Sequence, residues 1–245
     1  MKIKMNDEIL NNLYEFWTYI GEKTDKLDEN KNYSSISLIN SDYPNRVFSV
    51  SPKKEIISEI IDLSQKKLLP NIITIPKTND LENHSQVELL FRQMNMALEL
   101  KMVEATFEMD ENIHQVRSRE NAFSFAETAS EAFGTRVDGD IIYLISKDAS
   151  KVRMFNYTKN GEYLGCGIVF FDSNNIAGFH MIGTIPKGRG QGIGTKITEK
   201  LIMEAKTNKN EYCVLHASLM GEKIYKKLGF VSFEEIETYQ IIERQ

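Results

Sequence analysis

The chain has 245 residues, is 41% hydrophobic and 27% charged, and carries 14 glycines, 5 prolines and only two cysteines, Cys166 and Cys213. That balance excludes a disordered or collagen-like chain, a disulfide scaffold and a four-cysteine zinc site, and leaves at most one bridge between the two thiols. A net charge of −5 argues against broad nucleic-acid binding, and no apolar run approaches the roughly 20 residues of a membrane span, so a cytoplasmic protein without membrane or nucleic-acid partners is the expectation.

In the first half, residues 55–69 carry a helical pattern stopped by Pro70, and 71–76 read as a strand. Residues 85–94 predict a second helix and 97–109 a long strand. Before them, Asp42 to Arg46 reads as a turn before a strand, Tyr14, Phe16 and Trp17 as packing residues, and Met94, Met96, Met102 and Met109 as fillers of core gaps. The polar stretch 110–120 joins the halves. Residues 118–133 predict a helix closed by Gly134; 153–157 and 163–171 predict a hairpin turning at Asn160-Gly161; 177–185 predict a strand stopped by Pro186. A glycine-rich loop, a helix from about Gly194, a strand at 212–217, a helix at 220–228 and a strand at 231–242 complete the chain. Helix, strand, helix, strand thus occurs near 55–109 and again near 194–242, in a mixed α/β arrangement. The charge is divided unevenly: residues 1–117 hold 14 Lys/Arg against 19 Asp/Glu, whereas 187–227 hold nine against four.

The loop Lys187-Gly-Arg-Gly-Gln-Gly-Ile-Gly194 carries the chemistry. Alternate glycines let backbone N–H groups approach an anion, and the following helix N-terminus adds partial positive charge. Arg189 and Lys196 can add full charges. The spacing fits neither a dinucleotide fingerprint nor a P-loop, since Ile193 and Thr195 stand where glycines would be and Gly194 is followed by Thr195-Lys196. It does fit Arg-x-x-Gly-x-Gly. A tight strand-to-helix connection is the plain alternative.

The stretch Met181 to Thr195, MIGTIPKGRGQGIGT, resembles the acyl-CoA-binding motif of the GNAT superfamily of N-acetyltransferases, and Leu215 to Phe230, LHASLMGEKIYKKLGF, resembles its second motif. The resemblance covers roughly 118–242. It implies an α+β-like GNAT fold, with a central mostly antiparallel sheet flanked by helices and two similar domains in tandem: 1–117 degenerate, 118–245 catalytic. It implies acetyl-CoA as co-substrate, no metal, and a small-molecule or peptide amine as acceptor in a direct ternary complex.

By the same resemblance, Arg189, Gly190, Gln191, Gly192, Ile193, Gly194 and Thr195 hold the pyrophosphate. Ile182 and Thr184 lie on the strand that binds the pantetheine arm, the Thr184 N–H also facing the oxyanion. Tyr225 is the general acid. Two departures stand out. Ser218 replaces the family's usual asparagine, and no glutamate lies between Asn174 and Lys187; His180 stands there as candidate base, with a satisfied strand histidine as the equal alternative. Cys213 and His216 fall on opposite strand faces and do not make a metal or nucleophile pair. The first half has no such loop. Leu90-Phe91 reads as its counterpart of Ile224-Tyr225, without a phenolic proton. Its expected role is to wall the acceptor groove, its negative charge favouring a cationic amine. A non-catalytic acyl-CoA sensor and a transferase of longer acyl groups are the rival readings.

Overall fold

The computed structural model describes residues 2–82, 84–104 and 107–242. In chain order the elements are α1 (Lys2–Thr24), β1 (Leu27–Glu29), β2 (Ser34–Ile36), β3 (Arg46–Phe48), α2 (Lys54–Gln65), β4 (Ile72–Pro76), α3 (Asn79–Glu82), β5 (Val87–Glu99), β6 (Ile113–Gln115), α4 (Arg119–Phe133) and α5 (Gly139–Ser146). There follow β7 (Val152–Lys159), β8 (Glu162–Phe171), β9 (Ile176–Thr184), α6 (Ile193–Thr207), β10 (Tyr212–Ala217), α7 (Glu222–Lys227) and β11 (Val231–Ile241). The fold is the expected mixed α/β arrangement, with a mostly antiparallel sheet flanked by helices. Among the described residues no helix is long and apolar enough to cross a membrane.

Local chemistry explains the boundaries the sequence predicts well. Ser118 caps α4 by accepting from the Asn121 N–H at 3.1 Å, and Gly134 ends it in the left-handed conformation at φ +67°. Asn160 and Gly161, both at positive φ, make the two-residue turn that joins β7 to β8. Two expectations fail. Residues 85–94 are not a helix: 85–86 form a turn and 87–94 belong to β5, and the helix of that region is the short α3. The strand ends at Glu99, short of Met109; residues 105 and 106 of the expected span lie outside the described residues. Met96 is fully buried, whereas Met102 and Met109 are exposed and fill no core gap.

One sheet contains all eleven strands, in the order β1-β2-β3-β4-β11-β5-β10-β9-β8-β7-β6. It has an internal symmetry. The series strand, helix, strand, helix, strand occurs as β3-α2-β4-α3-β5 and again as β9-α6-β10-α7-β11. In each series the first two strands pair in parallel, and the last strand of the other series lies antiparallel beside the second. The two last strands pair with each other from Val231↔Ala97 to Ile241↔Val87. Each series therefore borrows a strand from the other. Counterparts follow from position: β5 answers to β11 and α3 to α7. Leu90-Phe91, on β5, is thus not the counterpart of Ile224-Tyr225.

Helices cover the sheet with separate apolar clusters. Leu13, Phe16, Trp17, Phe125, Ile142, Met154 and Phe170 form one core under α1, α4 and α5. Ile193, Ile197, Leu201 and Ile202 of α6 pack with Phe155, Val169 and Phe179 in another. α1 lies across β9, β10 and β5, so the first helix of the chain helps to roof the strands that carry the predicted site.

Candidate active site

The site starts from a parting of strands. β9 and β10 pair in parallel from Ile176↔Tyr212 to Phe179↔Leu215 and then separate. Beyond that point β9 stays with β8, and β10 stays with β5. At the parting β9 bulges: Met181 takes φ +50°, and two residues oppose Gly167 where β8 contributes one. The gap opens into a cavity of about 400 Å³. His180, Ile182, Ser218 and Tyr225 all line it, so four of the predicted site residues come together.

Tyr225 is half-buried, meets Phe230 edge-on with centroids 5.9 Å apart, and its hydroxyl has no hydrogen-bond partner among the described residues. Burial pushes its pKa up, so the phenol stays protonated at neutral pH. Ser218 Oγ accepts from the Gly221 N–H at 3.2 Å and so shapes the turn into α7.

His180 is buried, stacked on Phe16 at 4.2 Å, with Nε2 3.3 Å from Asn12 Oδ1. Because Asn12 Nδ2 donates to Asp172 Oδ2 at 2.8 Å, its oxygen must accept from His180 Nε2–H, which leaves the Nδ1 lone pair free. Burial holds the imidazole pKa well below 6.5, with His216 adding repulsion, so His180 is neutral.

At the far end of β9 lies the glycine loop. Gly190 and Gly192 both sit at φ +76°, the left-handed region that favours glycine. The N–H groups of residues 190 to 195 find no acceptor among the described residues. A Cβ at Gly190 or Gly192 would meet nothing within 4 Å, and one at Gly194 only Thr184 Oγ1 at 3.8 Å. Six free donors around open space at a helix N-terminus fit a pyrophosphate. Arg189 is exposed and touches only carbonyl oxygens, of Thr184 at 3.3 Å and Ala132 at 3.5 Å, so its charge is available to an anion. Lys196 differs from expectation: its Nζ is bound to Asp110 Oδ2 at 2.6 Å. Thr184 bridges the two regions, at the end of β9 and beside the loop.

Much of the remaining cavity wall comes from residues that the sequence does not assign to the site. Leu13 and Trp17 of α1, Tyr43, Arg46 of β3, and Phe91, Arg92 and Gln93 of β5 face the predicted residues across the gap. The first half thus walls the cavity as expected, but with cations. The described lining holds no Asp or Glu. Arg92 is neutralised by Glu237 at 2.6 Å and Glu82 at 2.7 Å. The expected turn does lead into a strand, but Arg46 is the first residue of that strand, β3, and is buried. His216 also lines the cavity. Its Nδ1 is 2.7 Å from Asn95 Oδ1, and burial lowers its pKa to about 4. Its alternation with Leu215 on β10 was the available signal. Cys166 and Cys213 are both buried free thiols, so the possible bridge is absent; burial pushes the Cys166 thiol up to about 12.

Residues 150–232 match the family model described as the acetyltransferase (GNAT) domain. No curated protein matches the sequence. Among solved structures, a GCN5-related N-acetyltransferase from Kribbella flavida superposes with a TM-score of 0.64 at 13% identity, covering 88% of this chain and 89% of its own. A protein assigned to the GNAT family from Novosphingobium aromaticivorans DSM 12444 gives 0.63 at 12%, covering 94% and 96%. A GCN5-related N-acetyltransferase from Sphaerobacter thermophilus gives 0.59 at 15%, covering 86% and 77%. At these identities the structural likeness speaks for the fold, and the family match for the domain within it. The glycine loop and the parted strands both lie inside the segment, residues 150–232, that matches the acetyltransferase (GNAT) domain model.

Proposed function

We propose that the protein is an N-acetyltransferase that moves the acetyl group of acetyl-CoA to a primary amine in a ternary complex. The observation that carries this reading is the pairing of two features along β9. Six unpaired N–H groups, of residues 190 to 195, lie beyond its C-terminal end, and a free, protonated phenol faces the cavity that opens at its middle. Acetyl-CoA, when bound, supplies an activated thioester carbonyl.

The chain's own residues do the rest. The loop amides and Arg189 hold the pyrophosphate; Ile182 and Thr184 offer strand backbone to the pantetheine arm. The Thr184 N–H faces the carbonyl oxygen as its charge grows. The bond from amine nitrogen to acetyl carbon forms as the carbon–sulfur bond breaks. Tyr225 Oη gives its proton to the departing thiolate. His180 Nδ1 takes the amine proton, directly or through water, with Nε2–H tethered to Asn12. A strongly lowered imidazole pKa makes His180 a weak acceptor, so it works best on an amine that arrives neutral. The cavity volume, about 400 Å³, is of small-molecule scale.

The test is Tyr225→Phe, with acetyl-CoA affinity measured by calorimetry and thiol release followed across an amine panel. Wild-type turnover with a loss of about 10²- to 10⁴-fold in kcat and unchanged affinity in the variant is the expected result. Tight binding without turnover for any amine would favour the sensor reading instead.

A further inference from the structure

Arg46 poses a question that the acetyl-transfer chemistry leaves unanswered. The residue is 8% exposed, lines the cavity, and has no carboxylate partner among the described residues. Nη1 donates to Thr74 Oγ1 at 3.1 Å, while Nε has no partner among the described residues. The guanidinium lies over two rings, 4.7 Å from the Trp17 centroid and 5.3 Å from that of Tyr43. Those rings are themselves fixed, Trp17 Nε1–H donating to Tyr43 Oη at 3.0 Å. Aromatic faces soften a buried cation but do not neutralise it. Burial lowers the pKa of the group, yet an arginine keeps its proton at any working pH.

A buried charge without a counter-ion destabilises a fold, so packing alone does not account for it. The cavity offers no internal remedy. Its other guanidinium, Arg92, already has two carboxylates, and its two histidines are neutral. What Arg46 lacks is one negative charge with a planar pair of acceptor oxygens. A carboxylate provides both, and a monoanion balances the single cation, whereas a phosphate dianion would leave excess charge among apolar walls.

We propose that Arg46 receives the carboxylate of the acceptor, so that the substrate is a small amino acid-type molecule with its amine toward Tyr225 and His180 and its carboxylate against Trp17 and Tyr43. This rests on the transferase reading, and it replaces the cationic amine expected from the acidity of residues 1–117. The first half then sets specificity while the second half performs the transfer.

Trp17 is the chain's only tryptophan, so its emission reports on this pocket alone. The experiment titrates CoA-loaded protein with the N-acetyl derivatives of the twenty standard L-amino acids and with their carboxamides, which differ only in the charge. At least one acid is expected to shift Trp17 emission saturably, binding about 100-fold tighter than its amide, the scale of a charge-assisted hydrogen-bond pair. Arg46→Gln should bring acid and amide within about threefold, and Arg46→Lys should fall between. If Arg46→Gln does not fold, the acid–amide contrast in the wild type decides. No response to any acid, equal binding of acid and amide, or a preference for an aminoalkyl phosphate would overturn the proposal. A parallel assay of thiol release from acetyl-CoA separates the two readings. Acid-selective binding without turnover of any amine would sink the transferase and spare the carboxylate site. Turnover of amines lacking a carboxylate, with no acid bound, would do the reverse.

Discussion

His180 owes its place to a residue that carries no side chain. A Cβ on Gly178 would stand 1.7 Å from Asn12 Oδ1 and 2.6 Å from His180 Nε2, so glycine is what lets α1 reach the strand and tether the imidazole. Gly178→Ala should displace Asn12, lower Tm by an amount equivalent to about 1–3 kcal/mol, and reduce kcat more than acetyl-CoA affinity. Neutral His216 makes stability pH-dependent. Its folded pKa is about 4 against an ordinary 6.5, so between those values the unfolded chain holds more protons and stability falls with falling pH. The loss should approach roughly 3 kcal/mol by pH 4, and in His216→Gln the drop in denaturation midpoint from pH 7 to pH 4.5 should shrink. An equal drop in both proteins would remove His216 as its source. At this scale the sequence was legible where a motif is local: Ser218 and Tyr225 stand within one contiguous stretch. Arg46 was hidden because Asp42-Tyr43-Pro44-Asn45 has the composition of a turn. Contacts with Trp17, with Tyr43 and with Thr74 on the neighbouring strand bury it.

Among the elements, the glycine loop was readable because conformation at Gly190 and Gly192 demands the residue type. Gly192→Ala forces an L side chain into φ +76°, a strain of about 1–2 kcal/mol, and turns the cap of α6. Acetyl-CoA affinity should fall about tenfold or more by calorimetry, with little change in the Trp17 signal of the cavity. An unchanged affinity would take the loop out of the binding site. β5 was misread for an equally physical reason. Val87-Glu-Leu-Leu-Phe-Arg-Gln-Met is rich in good helix formers, but pairing with β11 along the stretch, joined by β10 from Met94 onward, overrides that preference. The long α1 did leave a signal, since Ile9, Leu13, Phe16, Trp17 and Ile20 recur at three- and four-residue spacing and are all buried. Its aromatics read as packing residues, which they are, and Trp17 lines the cavity as well.

For the molecule as a whole, the repeated element order was visible in the sequence, whereas the exchange of last strands was not, because a strand's partner is chosen by the whole chain. We keep 117/118 as the proposed division between a degenerate and a catalytic half, joined through β5 and β11. Residues 118–245 expressed alone would lack the strand between β10 and β11 and should aggregate or fail to melt cooperatively, since both edges would lie open. A monomeric fragment with a sharp thermal transition would show that β5 is dispensable. The central claim is that this sheet holds an acyl-CoA along β9, and calorimetric titration of the full chain with acetyl-CoA tests it most directly. Saturable binding at one site per chain is expected, with a rise in stability of about 2.7 kcal/mol at 100 times the dissociation constant. A folded protein that binds neither acetyl-CoA, CoA nor a longer acyl-CoA would contradict it and reduce residues 189–194 to an ordinary turn.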